Sequence, residues 1–159
     1  MFRIKERGGF TLIELMVVIA IIGFISMMTL AAVNNSRIKA VDTKRISEIK
    51  AIQTALELYF NDQKVYPGGS WNKTELGEAS DRKCLNADGW TTAGCSKPYM
   101  GSVPKDPKRN DSNLRYMYRP SLNRNNYFLR FYLEKGVSQY NQGFNFIQPN
   151  GAITTQVPF

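Results

Sequence analysis

The sequence predicts an α+β fold in which one long N-terminal helix, transmembrane in its first half and amphipathic in its second, packs on a small antiparallel sheet. Three observations carry this. An apolar run extends from Phe10 to Val33. From Ile38 to Phe60 no proline or glycine occurs and apolar residues recur at spacings of three and four. Near the C-terminus Tyr127, Leu129, Phe131 and Leu133 alternate with Phe128, Arg130, Tyr132 and Glu134, the period of a strand with one buried face.

The apolar run of about 24 residues suffices, at about 1.5 Å per residue, to cross a hydrocarbon layer of about 30 Å. It follows a basic stub, Arg3, Lys5 and Arg7, and the pair Gly8-Gly9. The stub holds the N-terminus in the cytoplasm, so the rest of the chain is expected outside the membrane. Within the run stands a lone acid, Glu14. Such a charge costs about 2.5 to 3.5 kcal/mol on insertion scales, so it needs a partner. A cut between Gly9 and Phe10 would supply one, as a new ammonium four residues before the acid. A plain secretory signal has a shorter apolar core and a small-x-small cleavage site; a simple anchor gives no reason for the glycines or for Glu14.

MFRIKERGG followed by FTLIELMVVIAIIGFIS resembles the leader and first helix of type IV prepilins and of the major pseudopilins of type II secretion. This resemblance implies the pilin lollipop architecture and a class III leader. A prepilin peptidase would cut after Gly9 and N-methylate Phe10, and Glu14 would serve subunit docking. It also implies the partners: copies of the same chain in a helical homopolymer, the peptidase, an inner-membrane assembly platform with its ATPase, and minor pilins. The subunit would wait in the inner membrane as a single-pass protein before entering a periplasmic or cell-surface filament. The order Ala55 to Pro67, Val103-Pro-Lys-Asp-Pro107 and Tyr116-Met-Tyr118 is similar to that of major pseudopilins.

The expected division is a cleaved leader over 1–9, a transmembrane and assembly helix over 10–33, its amphipathic continuation over 34–62, a connecting loop region over 63–113 and an antiparallel sheet over 114–159. In the continuation, Ile38, Val41, Ile49, Ile52, Leu56 and Tyr59 form an apolar stripe with Ile46 and Phe60 at its edge. Arg45 projects near the centre of that stripe, to snorkel toward the membrane surface or to meet an acid of an assembled neighbour. Asn61-Asp62 is expected to stop the helix. Strands are expected at Leu114–Tyr118, around Tyr127–Glu134, at Phe144–Ile147 and, after the turn Pro149-Asn150-Gly151, at Ala152–Thr154.

Cys84 and Cys95 are the only cysteines. Outside the cytoplasm so close a pair reads as one disulfide closing the loop. Two buried thiols or half a metal site are the other readings, the latter with neither histidine nor a Cys-x-x-Cys to build on. No metal and no cofactor is expected. Major pseudopilins carry an acidic calcium loop near the C-terminus, whereas this chain has no Asp or Glu after Glu134. Asp106 and Asp111 read as isolated acids in turns.

The net charge of +8 is unevenly spread, with nine basic and nine acidic side chains over residues 10–96 but nine and three over residues 97–135. There Lys105, Lys108, Arg109, Arg115, Arg119, Arg124 and Arg130 interleave with Tyr116, Tyr118, Tyr127 and Tyr132, a composition able to attract phosphates and stack on bases. The other reading is a solvated face or a contact to acids of another subunit. Without histidine a Ser-His-Asp or Cys-His site is impossible, so no enzyme is expected. The leading function is a structural filament subunit; the alternative is a non-polymerising, membrane-anchored binding module, with nucleic acid as one ligand.

Overall fold

The computed structural model describes residues 9–69, 74–77, 82–92, 94–108, 111 and 114–155. The leader residues 1–8, including Arg3, Lys5 and Arg7, and Arg109 of the basic series lie outside these. Helix α1 runs from Leu12 to Gln63. Strands β1 (Thr74–Glu75), β2 (Cys84–Asn86), β3 (Gly89–Thr91), β4 (Met117–Pro120), β5 (Tyr127–Leu133), β6 (Gly143–Ile147) and β7 (Ile153–Thr154) follow. The chain divides after Arg37 into two compact units.

The first unit holds the apolar turns of α1. Its side chains find no cover within the chain, Leu12 and Phe24 being 77% and 68% exposed, and the helix is long and apolar enough to span a membrane. Ser26 and Thr29 donate their hydroxyls to the carbonyls of Ile22 and Ile25 at 2.7 and 2.9 Å. These bonds satisfy the polar side chains inside the helix, as a lipid environment demands.

The second unit is a helix-on-sheet sandwich. Ile46, Ile49, Ile52, Ala55, Leu56 and Tyr59 of α1 are buried in one core with Tyr118, Tyr127, Leu129, Phe131, Leu133 and Ile147 of the sheet. Ile38 and Val41, expected in the stripe, are only half-buried, and Asp42 and Arg45 occupy the buried turn between them and Ile46. The helix overruns Asn61-Asp62 by one residue. It stops where Lys64 takes a left-handed φ of 59° and donates its backbone N–H to the Phe60 carbonyl at 2.8 Å.

The sheet is antiparallel throughout, in the order β1-β4-β5-β6-β7. In β5 Tyr127, Leu129, Phe131 and Leu133 are buried and Phe128, Arg130 and Tyr132 lie on the opposite face, as the alternation predicts. The strand expected at Leu114–Tyr118 begins later, at Met117, and ends on Pro120, whose partner is Tyr127. Gly136 turns the chain after β5 at φ 71°; a Cβ there would lie 2.7 Å from the Tyr140 carbonyl oxygen, so only glycine fits.

Between α1 and β4 the chain is more ordered than its composition suggests. β1 adds an edge strand to the sheet, and β2 and β3 form a separate hairpin pairing Cys84 with Thr91 and Asn86 with Gly89. The disulfide Cys84–Cys95 closes this segment across 11 residues, the α-carbons 6.3 Å apart. Leu85 is fully buried, and its amide and carbonyl bond to Met100 O and Tyr99 N at 2.9 and 2.8 Å. Backbone bonds beyond the hairpin therefore anchor the loop to the core.

Candidate functional site

The first functional element is the start of α1. Gly9, Phe10 and Thr11 precede the helix, and Phe10 is 88% exposed. Thr11 caps it: Glu14 donates its backbone N–H to Thr11 Oγ1 at 3.3 Å, while Glu14 Oε2 accepts from Thr11 N at 2.9 Å and from Thr11 Oγ1 at 2.8 Å. This is a reciprocal Thr-x-x-Glu box, which satisfies two orphan donors of the first turn and sets a carboxylate where the helix dipole favours negative charge. Both bonds fall on Oε2. Among the described residues Oε1 has no hydrogen-bond partner.

The second element is an ionic network around Arg45. Its guanidinium is fully buried and reaches three carboxylates: Nε and Nη2 donate to Asp106 Oδ2 and Oδ1 at 2.7 and 3.1 Å, and Nη1 donates to Asp42 Oδ1 and Glu134 Oε1, each at 2.9 Å. Asp42 accepts in addition from the backbone amides of Glu134 and Lys135 at 3.1 and 2.8 Å. Lys108 Nζ closes the outer side on Glu134 Oε2 at 2.8 Å. Burial works against the charged guanidinium, but the bonds to Asp106, Glu134 and Asp42 outweigh it, so Arg45 is held above the ordinary arginine range. Glu134 is held below the carboxylate range, first by Lys108, against a desolvation penalty, and then by Arg45.

The structure thus corrects two expectations. Arg45 neither snorkels nor waits for a neighbour, since its own chain supplies its acids from 61 and 89 residues away. Asp106 is no solitary cap; it accepts from the Lys108 amide at 2.7 Å as a turn acid would, but it is buried against Arg45. The local signal was present, an arginine in the middle of an apolar stripe with Asp42 three residues before it. The distant partners had none.

The basic series does not assemble into one face. Arg115 Nη1 pairs with Glu75 at 2.8 Å, Lys108 with Glu134, and Arg124 Nε donates to the Tyr66 carbonyl at 2.8 Å. Lys105 is exposed on the segment before Asp106. Arg119 and Arg130 lie on the outward face of β4 and β5, opposite Phe128 and Met117 in register. Tyr116, Tyr118 and Tyr127 are buried in the core and cannot stack on bases. Their hydroxyls donate inward: Tyr116 to Glu48 at 2.6 Å, Tyr118 to the Pro67 carbonyl at 2.8 Å, Tyr127 to Glu57 at 3.5 Å. Burial raises all three pKa values above the ordinary tyrosine range.

Comparison with known proteins bears on the first element. A family model for the prokaryotic N-terminal methylation motif matches residues 4–30. The chain is 32% identical over 114 residues to the type II secretion system core protein G of Vibrio cholerae serotype O1, covering 70% of this chain and 72% of that one. It is 36% identical over 107 residues to the protein of the same name from Escherichia coli K12, covering 67% and 70%. The Pseudomonas aeruginosa protein of that name is 38% identical over 107 residues, covering 65% and 69%. No solved structure matches.

Proposed function

This chain belongs to the family of the type II secretion system core protein G, and on that premise we propose that it is the structural subunit of a pseudopilus, polymerised through its N-terminal helix. The observation that carries the reading is the methylation motif over residues 4–30, which contains the Gly9-Phe10 bond and Glu14. A prepilin peptidase cuts that bond, methylates the Phe10 amine and leaves the apolar half of α1 in the inner membrane, the second unit facing outward. In the stored subunit the Thr11 box holds the Glu14 carboxylate through Oε2.

On assembly the cytoplasmic ATPase and its membrane platform lift the subunit until Oε1 of Glu14 meets the Phe10 ammonium of the adjacent copy. Apolar side chains that find no cover within one chain then cover each other, and dispersion contacts hold the bundle. The ion pair sets the axial register, because a buried pair of this kind is a better specifier of alignment than a source of net stability. The role is structural, not catalytic.

Mass spectrometry of the protein taken from membranes tests this. A chain beginning at Phe10 with one added methyl group, sedimenting as filaments after shearing, is expected. A chain still beginning at Met1, or one that never sediments, overturns the reading.

A further inference from the structure

The face of the five-stranded sheet turned away from α1 is aromatic and basic. The Arg130 guanidinium stacks over the Phe144 ring, its Cζ 5.0 Å from the centroid, and Tyr132 meets the same ring edge-on at 5.2 Å. Phe128 lies two residues before Arg130, opposite Arg119. β4, β5 and β6 contain no Asp or Glu. Arg130 is half-buried, its Nε is shielded from solvent and has no acceptor, and among the described residues no carboxylate pairs with it. Burial alone therefore acts on its pKa, lowering it from the ordinary arginine value. Arg45, Arg115 and Lys108 differ, each holding at least one acid of its own chain.

A guanidinium laid on an aromatic ring is fixed in orientation and already partly dehydrated. An arriving carboxylate meets the oriented N–H donors of the two terminal nitrogens, with the shielded Nε behind them, and displaces little water, while the rings beside it offer apolar contact. We propose that this outward face, centred on Arg130 over Phe144, docks an acidic segment of a partner polypeptide in which a carboxylate side chain sits between apolar ones. Charge complementarity selects that occupant: β4, β5 and β6 carry arginine and no acid, and the outward-facing acid of β1, Glu75, is already paired with Arg115. A nucleic acid fits less well. It needs a row of free cations along its phosphates, whereas Lys108 and Arg115 are each paired with an acid of the same chain.

The test uses the full chain in detergent micelles with arginine side chains labelled for NMR. The probes are an end-blocked pentapeptide of alternating leucine and glutamate, the same peptide with glutamine for glutamate, and a ten-residue single-stranded oligothymidylate. Saturable binding of the glutamate peptide that shifts the Arg130 Nε–H resonance is expected. Exchanging glutamate for glutamine is expected to weaken it by about tenfold, the scale of a charge-assisted bond. Arg130→Gln and Arg130→Lys should each cause a comparable loss, lysine because it neither stacks flat nor forks. Arg115→Gln should not. Equal affinity for the two peptides, no saturable peptide binding, or an oligothymidylate that binds more tightly at Arg130 would each overturn the proposal; the comparison of the two peptides on the unaltered chain holds whether or not a variant folds.

Discussion

Arg45 on α1 and Asp106 in the segment before β4 face each other as a buried fork, with Nε to Oδ2 at 2.7 Å and Nη2 to Oδ1 at 3.1 Å. Neither side chain is accessible to solvent. Through this pair the long crossing segment is tied to the helix, and through Asp42 the chain leaving β5 is tied to the same turn. Arg45→Met would strand Asp42 and Asp106 without their cation, and the expected destabilisation is about 3 to 5 kcal/mol. Urea unfolding of the full chain in micelles measures it. A double-mutant cycle with Asp106→Asn should return a coupling above about 1 kcal/mol, and near-zero coupling would mean that the two side chains act independently.

The outer side of the network gives an acid-dependent stability. Glu134 has its pKa lowered from the ordinary value of 4.5, with Lys108 as the leading favourable cause. A depressed carboxylate stabilises the fold fully above its unfolded value, and the contribution disappears as pH falls through the lower folded value. The stability difference between the parent chain and Lys108→Met should therefore be constant above about pH 5 and shrink below 4.5. A difference independent of pH would remove Lys108 from the account. Because Glu134 is partly exposed and Lys108 more so, the difference should stay below about 1 kcal/mol.

At the alkaline end the tyrosines govern. Burial is the largest cause raising Tyr66, Tyr116, Tyr118 and Tyr127 above the ordinary value of 10, and carboxylates at Glu57 and Glu48 add to it for Tyr66, Tyr127 and Tyr116. The native chain keeps these protons where the unfolded chain releases them, so stability is whole below pH 10 and falls as pH rises beyond it. Absorbance titration at the phenolate band should show these four ionising only in step with unfolding. Early, reversible ionisation of the whole set would contradict the inward-facing hydroxyls.

Removing the Cys84–Cys95 crosslink is expected to cost about 2 to 4 kcal/mol. Fast hydrogen exchange should appear first at the amides of β2 and β3 other than Leu85. The amides of Leu85 and Val103 should exchange more slowly, because their carbonyl partners, Met100 and Lys83, remain in place. Uniform loss of protection across the sheet after reduction would show that the crosslink supports the whole core.

Glu14→Gln separates the two duties proposed for that residue. The amide still offers an oxygen to Thr11 but carries no charge for an ammonium, so insertion and processing should proceed while sheared filaments fall below about a tenth of the parent yield, the penalty for losing one charged partner. Glu14→Leu should do the same with a frayed first turn, costing about 1 kcal/mol of cap stability. Parent-level filaments from Glu14→Gln would leave the carboxylate with the capping duty alone.

Much of the architecture can be read along the chain because it rests on short periods. The apolar run from Phe10, the stripe through Ile49, Ile52 and Leu56, and the alternation from Tyr127 to Leu133 are each local patterns, and each became the element it implied. What escaped is either held by contacts at long sequence separation or too short to show a period. β1 has two residues and exists because β4 is there to pair with it; β2 and β3 are three residues each beside a crosslink. The same limit explains Arg45, whose burial is sensible only once Asp106 and Glu134 are brought beside it. Composition also misled at the tyrosines between Tyr116 and Tyr127, where alternation within β4 and β5 sends the rings to one side and the arginines to the other.

The Thr11 box fixes more than the first turn. The first helical hydrogen bond runs from the Leu15 amide to the Thr11 carbonyl, so the Gly9-Phe10 linkage stays outside the helix, with open space at the Cβ position of Gly9. An endopeptidase groove takes its substrate stretched out, and here it could close on that linkage without unwinding any of the rod beyond. Moving the box toward the N-terminus by one turn would draw the linkage into the coil, so for the cleavage proposed above the same threonine that starts the rod also keeps its target within reach.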